Sequence, residues 1–97
     1  MKFPVGFEWD LAKNETNKTK HGINFNEAVS IFAGQLLERS ALHLPSNEER
    51  VIATGKLGNR YVTVIYTWRA GVRRLISARK ARDNEREAYE RFIGYNA

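Results

Sequence analysis

The chain has 97 residues, of which 42% are hydrophobic and 28% are charged, and it contains no cysteine. These values predict one globular domain, residues 1–97, without disulfides or a membrane-spanning segment. The N-terminus lacks the apolar region of a secretory signal, so we expect a cytoplasmic protein. Sixteen Lys and Arg residues against eleven Asp and Glu give a net charge of +5, which favours an anionic partner such as a nucleic acid.

The chain opens with a short aromatic segment, "FEWD", which predicts an edge strand, and continues with a polar helix. Asp10 has the position of an N-cap and Gly22 that of a glycine after the last turn, so the helix is expected over about residues 11–21. It has almost no apolar stripe. The residues that share one face at helical spacing are polar: Lys13, Asn17, Lys20 and His21.

A second, amphipathic helix is predicted directly afterwards. Asn24 and Glu27 have the spacing of a capping box, and Gly34 ends the apolar repeat. The residues that recur at i, i+3, i+4 and i+7 are Phe25, Ala28, Val29 and Phe32.

The second half of the chain has the period of strands. The segments "QLLERSAL", "ERVIATGK", "RYVTVIYTW" and "VRRLISARK" predict an antiparallel meander, followed by a helix from about residue 83 to 93. In the last strand, simple alternation places Arg73, Leu75, Ser77 and Arg79 on one face and Val72, Arg74, Ile76 and Ala78 on the other. The order predicts an α+β fold in which helices cover one face of the sheet and the arginines lie on the other face or in its cleft with the last helix.

The residue types favour basic chemistry over metal chemistry. The two histidines, His21 and His43, lie far apart without carboxylates at ligand spacing, and no phosphate-binding glycine loop is present, so we expect no metal or cofactor. RNA is cleaved without a metal when a base deprotonates the 2′-hydroxyl, cations stabilise the phosphate and an acid protonates the leaving oxygen. Histidine is the residue type best suited to proton transfer at neutral pH, which makes His21 the candidate base or acid, and the candidate cations are Lys20, Arg69, Arg74 and Arg79.

Structural roles explain the same residues. The polar helix face is also typical of a solvated surface, and His21 at a helix C-terminus favours the helix dipole. Arg73 and Arg79 are expected to pair with Glu8, Glu38 or Glu85 if they are structural. The aromatic residues Trp9, Tyr66 and Trp68 fit core or cross-strand packing better than base stacking. The residues alone favour nucleic-acid contact over catalysis.

Four segments of the chain resemble the BrnT toxins of bacterial toxin–antitoxin pairs. They are "FEWDLAKNETNKTKHGINFNEAVSIF", "ERVIATGKLGNRYVTVIYTWR", "RRLISARKA" and an E-R-x-x-Y-E pattern made by Glu85, Arg86, Tyr89 and Glu90. The resemblance runs from about Phe7 to Glu90. It implies a RelE-like fold, an endoribonuclease that halts translation, inhibition by a BrnA-like antitoxin with a ribbon-helix-helix part, a toxin dimer within the complex, and binding of operator DNA only through the antitoxin.

The resemblance and the basic pattern together define the predicted site. The predicted catalytic residues are Lys20, His21, Arg69, Arg79 and Glu85. The predicted RNA-binding residues are Lys13, Asn17, Arg73, Arg74, Arg82 and Arg86. Arg82 stands where the family has Thr or Ser as a helix cap, so we expect Asp83 to cap the helix instead. The alternative function is a non-catalytic module whose basic face receives an antitoxin, or DNA in a repressor complex.

Overall fold

The computed structural model describes residues 2–95, which form three α-helices, a 3₁₀ helix and five strands. In chain order these are β1 (Phe7–Trp9), α1 (Leu11–His21), α2 (Phe25–Ala28), the 3₁₀ helix (Val29–Ala33), β2 (Leu37–His43), β3 (Glu48–Leu57), β4 (Arg60–Arg69), β5 (Val72–Lys80) and α3 (Asp83–Tyr95). Within residues 2–95, none of the helices has the length and apolar character needed to span a bilayer.

The five strands form one mixed sheet in the order β1-β5-β4-β3-β2. The meander from β2 to β5 is antiparallel, as predicted, and β1 is an edge strand, as predicted. However, β1 pairs parallel to β5, with Phe7 opposite Arg73 and Trp9 opposite Leu75, so the prediction of a purely antiparallel sheet is wrong. The direction of β1 depends on a connection across most of the chain, which local alternation does not encode.

A β-bulge in β5 changes which side chains share a face. Ile65 lies opposite Ser77 and Tyr66 lies opposite Leu75, so Ile76 is an extra residue in the ladder. Because a bulge shifts the alternation by one residue, Arg73 is on one face of the sheet and Arg79 is on the other, and the predicted uninterrupted alternation is wrong.

The hydrophobic core lies between one face of the sheet and the N-terminal helical layer. Trp9, Phe25, Ile31 and Leu75 are all buried there. The predicted capping box of α2 is present, but the helix becomes 3₁₀ after Ala28. A 3₁₀ helix repeats every three residues, so the central side chain after Ala28 is Ile31, and Phe32 is only partly buried.

Helix α3 lies on the opposite face of the sheet, so the prediction that the helices cover a single face is wrong. The Glu85 side chain accepts from the Thr63 hydroxyl, which points away from the core, and the Tyr89 hydroxyl donates to the Gln35 carbonyl. The expected cap at Asp83 is also wrong. Asp83 is the first helical residue, and Arg82 occupies the cap position because the Glu85 carboxylate accepts its backbone N–H at 2.8 Å.

Candidate active site

Helix α1 is fastened to the edge of β5 by one buried amide. Asn17 Nδ2 donates to the carbonyls of Ile23 and Ala78, both at 2.8 Å, and Asn17 Oδ1 accepts from the Ala78 N–H at 3.1 Å. Because β1 pairs with β5 only as far as Leu75, the Asn17 side chain takes the place of a neighbouring strand at Ala78. Asn17 is 6% exposed and its hydrogen bonds are used within the fold, so we remove it from the predicted RNA-binding residues.

The rest of the polar stripe lines a groove between α1 and β5. Lys13, Lys20 and His21 form one wall, and the opposite wall is Ile76 and Ser77, around a volume of about 270 Å³. The arginines of β5 do not line this groove, because the bulge at Ile76 places Ile76 and Ser77 at the strand edge that β1 leaves uncovered.

His21 also lines a second pocket, of about 470 Å³, at the start of α3. Its cationic side chains are Arg60, Lys80 and Arg86, and Tyr61 and Asp83 contribute to the wall. The Arg86 guanidinium lies 5.9 Å from the centre of the Tyr61 ring and its Nε is 3.6 Å from a Glu90 carboxylate oxygen. His21 is therefore the residue that the two basic cavities share.

Two of these cations were not predicted from the sequence. Lys80 is opposite Val62 in the β4–β5 ladder, and Arg60 begins β4 after the turn at Gly58, where φ is +62°. Their proximity to His21 depends on strand register and on the packing of α1. The only sequence signal was the general excess of basic residues in β5 and around it.

Arg79 and Glu85, both predicted to be catalytic, form a buried ion pair. The guanidinium donates to both carboxylate oxygens, at 2.7 and 3.0 Å, and their side chains are 15% and 7% exposed. Burial opposes ionisation of Glu85, but the hydrogen bonds from Arg79, the Arg82 N–H and Thr63 lower its pKa to about 2. A carboxylate so stabilised is a poor proton acceptor at neutral pH, so we assign this pair to holding α3 on the sheet.

The remaining predicted arginines are placed apart from His21. The Arg73 guanidinium lies 4.5 Å from the centre of the Trp68 ring and within 5.7 Å of the rings of Phe7, Phe32 and Tyr66. Arg74, rather than Arg73, pairs with Glu8 across β1 and β5.

Arg69 pairs with Glu48 at the far end of β4. Arg60 and Arg69 begin and end this ten-residue strand. Because a strand rises about 3.3 Å per residue, roughly 30 Å separate Arg69 from the pocket that Arg60 shares with His21. The structure therefore does not bring Arg69 into the site.

The arrangement around His21 suits proton transfer beside a phosphate. An imidazole accepts or donates a proton near neutral pH, and the flanking lysines and arginines stabilise negative charge on a phosphodiester. Among residues 2–95 no group of three or more His, Asp or Glu side chains has the geometry to hold a metal ion.

Comparison with known proteins gives one family. Residues 9–85 match a family model described as the ribonuclease toxin, BrnT, of a type II toxin–antitoxin system. The matched span contains all of α1 and β5, and so both walls of the groove. A search of curated proteins finds no match for the chain.

Proposed function

This chain belongs to the BrnT family of ribonuclease toxins of type II toxin–antitoxin systems, and from that premise we propose that it is an endoribonuclease that cleaves RNA without a metal ion and inhibits growth. The observation that carries the proposal is the position of His21, between a groove with Lys13 and Lys20 and a pocket with Arg60, Lys80 and Arg86. A RelE-like relationship of the fold is part of the same proposal.

In the proposed reaction the 2′-oxygen of a ribose attacks the adjacent phosphorus. The His21 imidazole accepts the 2′-hydroxyl proton, the new P–O2′ bond forms, and the P–O5′ bond breaks. The 5′-oxygen leaves with a proton from water or from the imidazolium. Cations on both sides of His21 hold the phosphates of the strand, and their charge stabilises the additional negative charge of the transition state.

Lys13 and Lys20 are the proposed contacts on the α1 side. Lys20 precedes His21 in the last turn of α1, and Lys13 is two turns earlier on the same face. Lys80 and Arg86 are the proposed contacts on the α3 side. Arg82 is exposed next to them, and its role as an RNA contact stays a prediction.

The proposed partner is the antitoxin of the same pair, a protein with a ribbon-helix-helix part like that of BrnA. It neutralises the toxin, and operator DNA is bound only through the complex, in which the toxin pairs into a dimer. The proposed location is the cytoplasm, where both the RNA substrate and the antitoxin are made.

The test is cleavage of total RNA by antitoxin-free protein in EDTA, with His21→Ala beside His43→Ala. General acid–base catalysis contributes about 10²–10⁴-fold, so we expect His21→Ala to lose about that factor in rate while its thermal unfolding is unchanged. His43 ends β2, which is the opposite edge strand of the sheet from β1, and its ring is bonded to Ser46, so its substitution should leave cleavage intact. A folded His21→Ala variant with the parent's rate refutes the role of His21.

A non-catalytic basic module gives a different outcome. Such a protein binds RNA with a strong dependence on salt, and neither the parent nor the variants produce fragments. Growth arrest on expression, with a folded parent that cleaves no purified RNA, points instead to a toxin that requires the ribosome.

A further inference from the structure

Much of the sheet face opposite the N-terminal helices is not covered by any helix in the described part of the chain. Residues directly opposite one another across neighbouring strands share a face. The register places Arg39, Ile52, Ile65 and Ser77 in one row across β2, β3, β4 and β5. Helix α3 is fastened to the adjacent row, through Thr63 and Arg79, so its sheet contact is at one end of this face.

The centre of the open face is apolar and bordered by a small cavity. Ile52 and Ile65 are half-buried, and a cavity of about 200 Å³ separates the first turns of α3 from β2 and β3. Its walls include Leu37, Ile52 and Ala88. This volume is below the roughly 300–1,000 Å³ of small-molecule sites, and it suits an apolar side chain of a docked protein segment.

Arginines surround this apolar centre. Arg74 and Arg79 already have carboxylate partners, at Glu8 and Glu85. Arg39 is exposed, and no ion pair of its side chain is found within residues 2–95. Arg50 also has a carboxylate partner, since its Nε lies 3.5 Å from a Glu48 carboxylate oxygen. Among the described residues the face thus offers one unpaired arginine, Arg39, with which an incoming carboxylate would pair.

We infer that this face is the docking surface for an acidic amphipathic segment of the antitoxin. Its apolar side chains cover Ile52 and Ile65 and enter the cavity, and one of its carboxylates pairs with Arg39. A protein fits better than RNA because aliphatic side chains give no stacking surface for bases, and Arg74 and Arg79 are already neutralised.

The position of Ser77 links docking to inhibition. Ser77 ends the row of the open face and also lines the groove between α1 and β5. A segment seated along the row therefore borders the groove that holds Lys20 and His21, and it restricts the approach of RNA there. The inference rests on the proposed inhibition by an antitoxin, and it does not depend on RNA cleavage.

The experiment is calorimetric titration of the purified antitoxin of the same pair into Arg39→Glu, with Arg91→Glu as the control. Both substitutions change the net charge equally, and Arg91 is an exposed residue of α3. We expect Arg39→Glu to weaken binding at least about tenfold, because it replaces a paired cation by a carboxylate that repels the segment, and Arg91→Glu to bind like the parent. RNA cleavage should be unchanged in both, because neither residue borders His21.

Ile65→Ser is the second variant, and its unfolding transition is measured alongside its affinity. A folded Ile65→Ser with affinity reduced about tenfold supports the apolar contact. Affinity equal to that of the parent in Arg39→Glu and in folded Ile65→Ser overturns the inference. Weaker RNA binding by Arg39→Glu with unchanged antitoxin binding also overturns it and assigns the face to RNA. If the parent neither cleaves RNA nor arrests growth but the affinity pattern holds, the docking surface stands and the proposed catalysis fails.

Discussion

Replacing Asn17 with alanine distinguishes a structural amide from an RNA contact. The substitution leaves three buried backbone groups without their partner, namely the N–H and carbonyl of Ala78 and the carbonyl of Ile23. A buried polar group left unsatisfied costs about 1–3 kcal/mol. Because such costs are not additive, we expect Asn17→Ala to lower the free energy of unfolding by about 3 kcal/mol, a large share of the roughly 5–15 kcal/mol of a typical domain.

The assay is urea unfolding followed by circular dichroism, with a thermal scan. A loss of about 3 kcal/mol corresponds to a fall in Tm of roughly 12–24 °C for a domain of this size. Asn17→Asp is a second, nearly isosteric variant, and it should be destabilised too because a carboxylate does not donate to the carbonyls of Ile23 and Ala78.

Asn26→Ala is the matched control, since Asn26 is exposed on α2 and its substitution should change stability by less than about 0.5 kcal/mol. RNA cleavage is then measured at a temperature where every variant is folded. The reasoning is refuted if Asn17→Ala unfolds at the parent's urea concentration but no longer binds or cleaves RNA. That result would place the amide in contact with the substrate.

Two further predictions concern buried charges. The folded-state pKa of Glu85 is about 2, below its unfolded value of 4.5, so its ionisation stabilises the protein above about pH 4.5 and this contribution is lost as the pH falls towards 2. Glu85→Gln should therefore show a flatter dependence of unfolding free energy on pH between about 2 and 4.5. A slope equal to the parent's would contradict the assignment of Glu85 to a stabilising ion pair. Arg73→Lys should lower the free energy of unfolding, measured by urea titration, by about 1–2 kcal/mol, because an ammonium does not stack on the rings around Arg73. The control is Arg82→Lys at an exposed position, which should change the same free energy by less than about 0.5 kcal/mol. Equal stability of the two lysine variants would contradict the aromatic role of Arg73.

The parts of the fold that local signals encode were predictable. The cap of α1 at Asp10, the capping box at Asn24 and the strands of the meander each depend on a few neighbouring residues, and all of them are present. The parallel pairing of β1 and the bulge at Ile76 were not predictable, because both depend on contacts between distant segments. The bulge alone reverses the face of Arg73.

The candidate site, like the fold, was predictable where it depends on residues close together in the sequence and not where it depends on contacts between distant segments. Helical spacing placed Lys13, Lys20 and His21 on one face, and they do line one groove. The same spacing included Asn17, because periodicity does not tell which polar side chain on a face meets another strand edge. Lys80 reaches the pocket through its pairing with Val62, and a register between strands is not visible in either strand alone.

The pairing of β1 and α1 with the last strand has a consequence for the order in which the chain folds. Asn17 and Ala78 are 61 residues apart, and closing so long a loop costs more entropy than forming any hairpin of the meander. The meander is therefore the part that forms from local contacts, and the lysines and histidine of α1 join it last. During synthesis the groove does not exist until β5 has left the ribosome, so a nascent chain carries no assembled toxin site. The Ala78 amide, whose N–H is bonded only after this closure, would report the step by its late protection in pulsed hydrogen exchange.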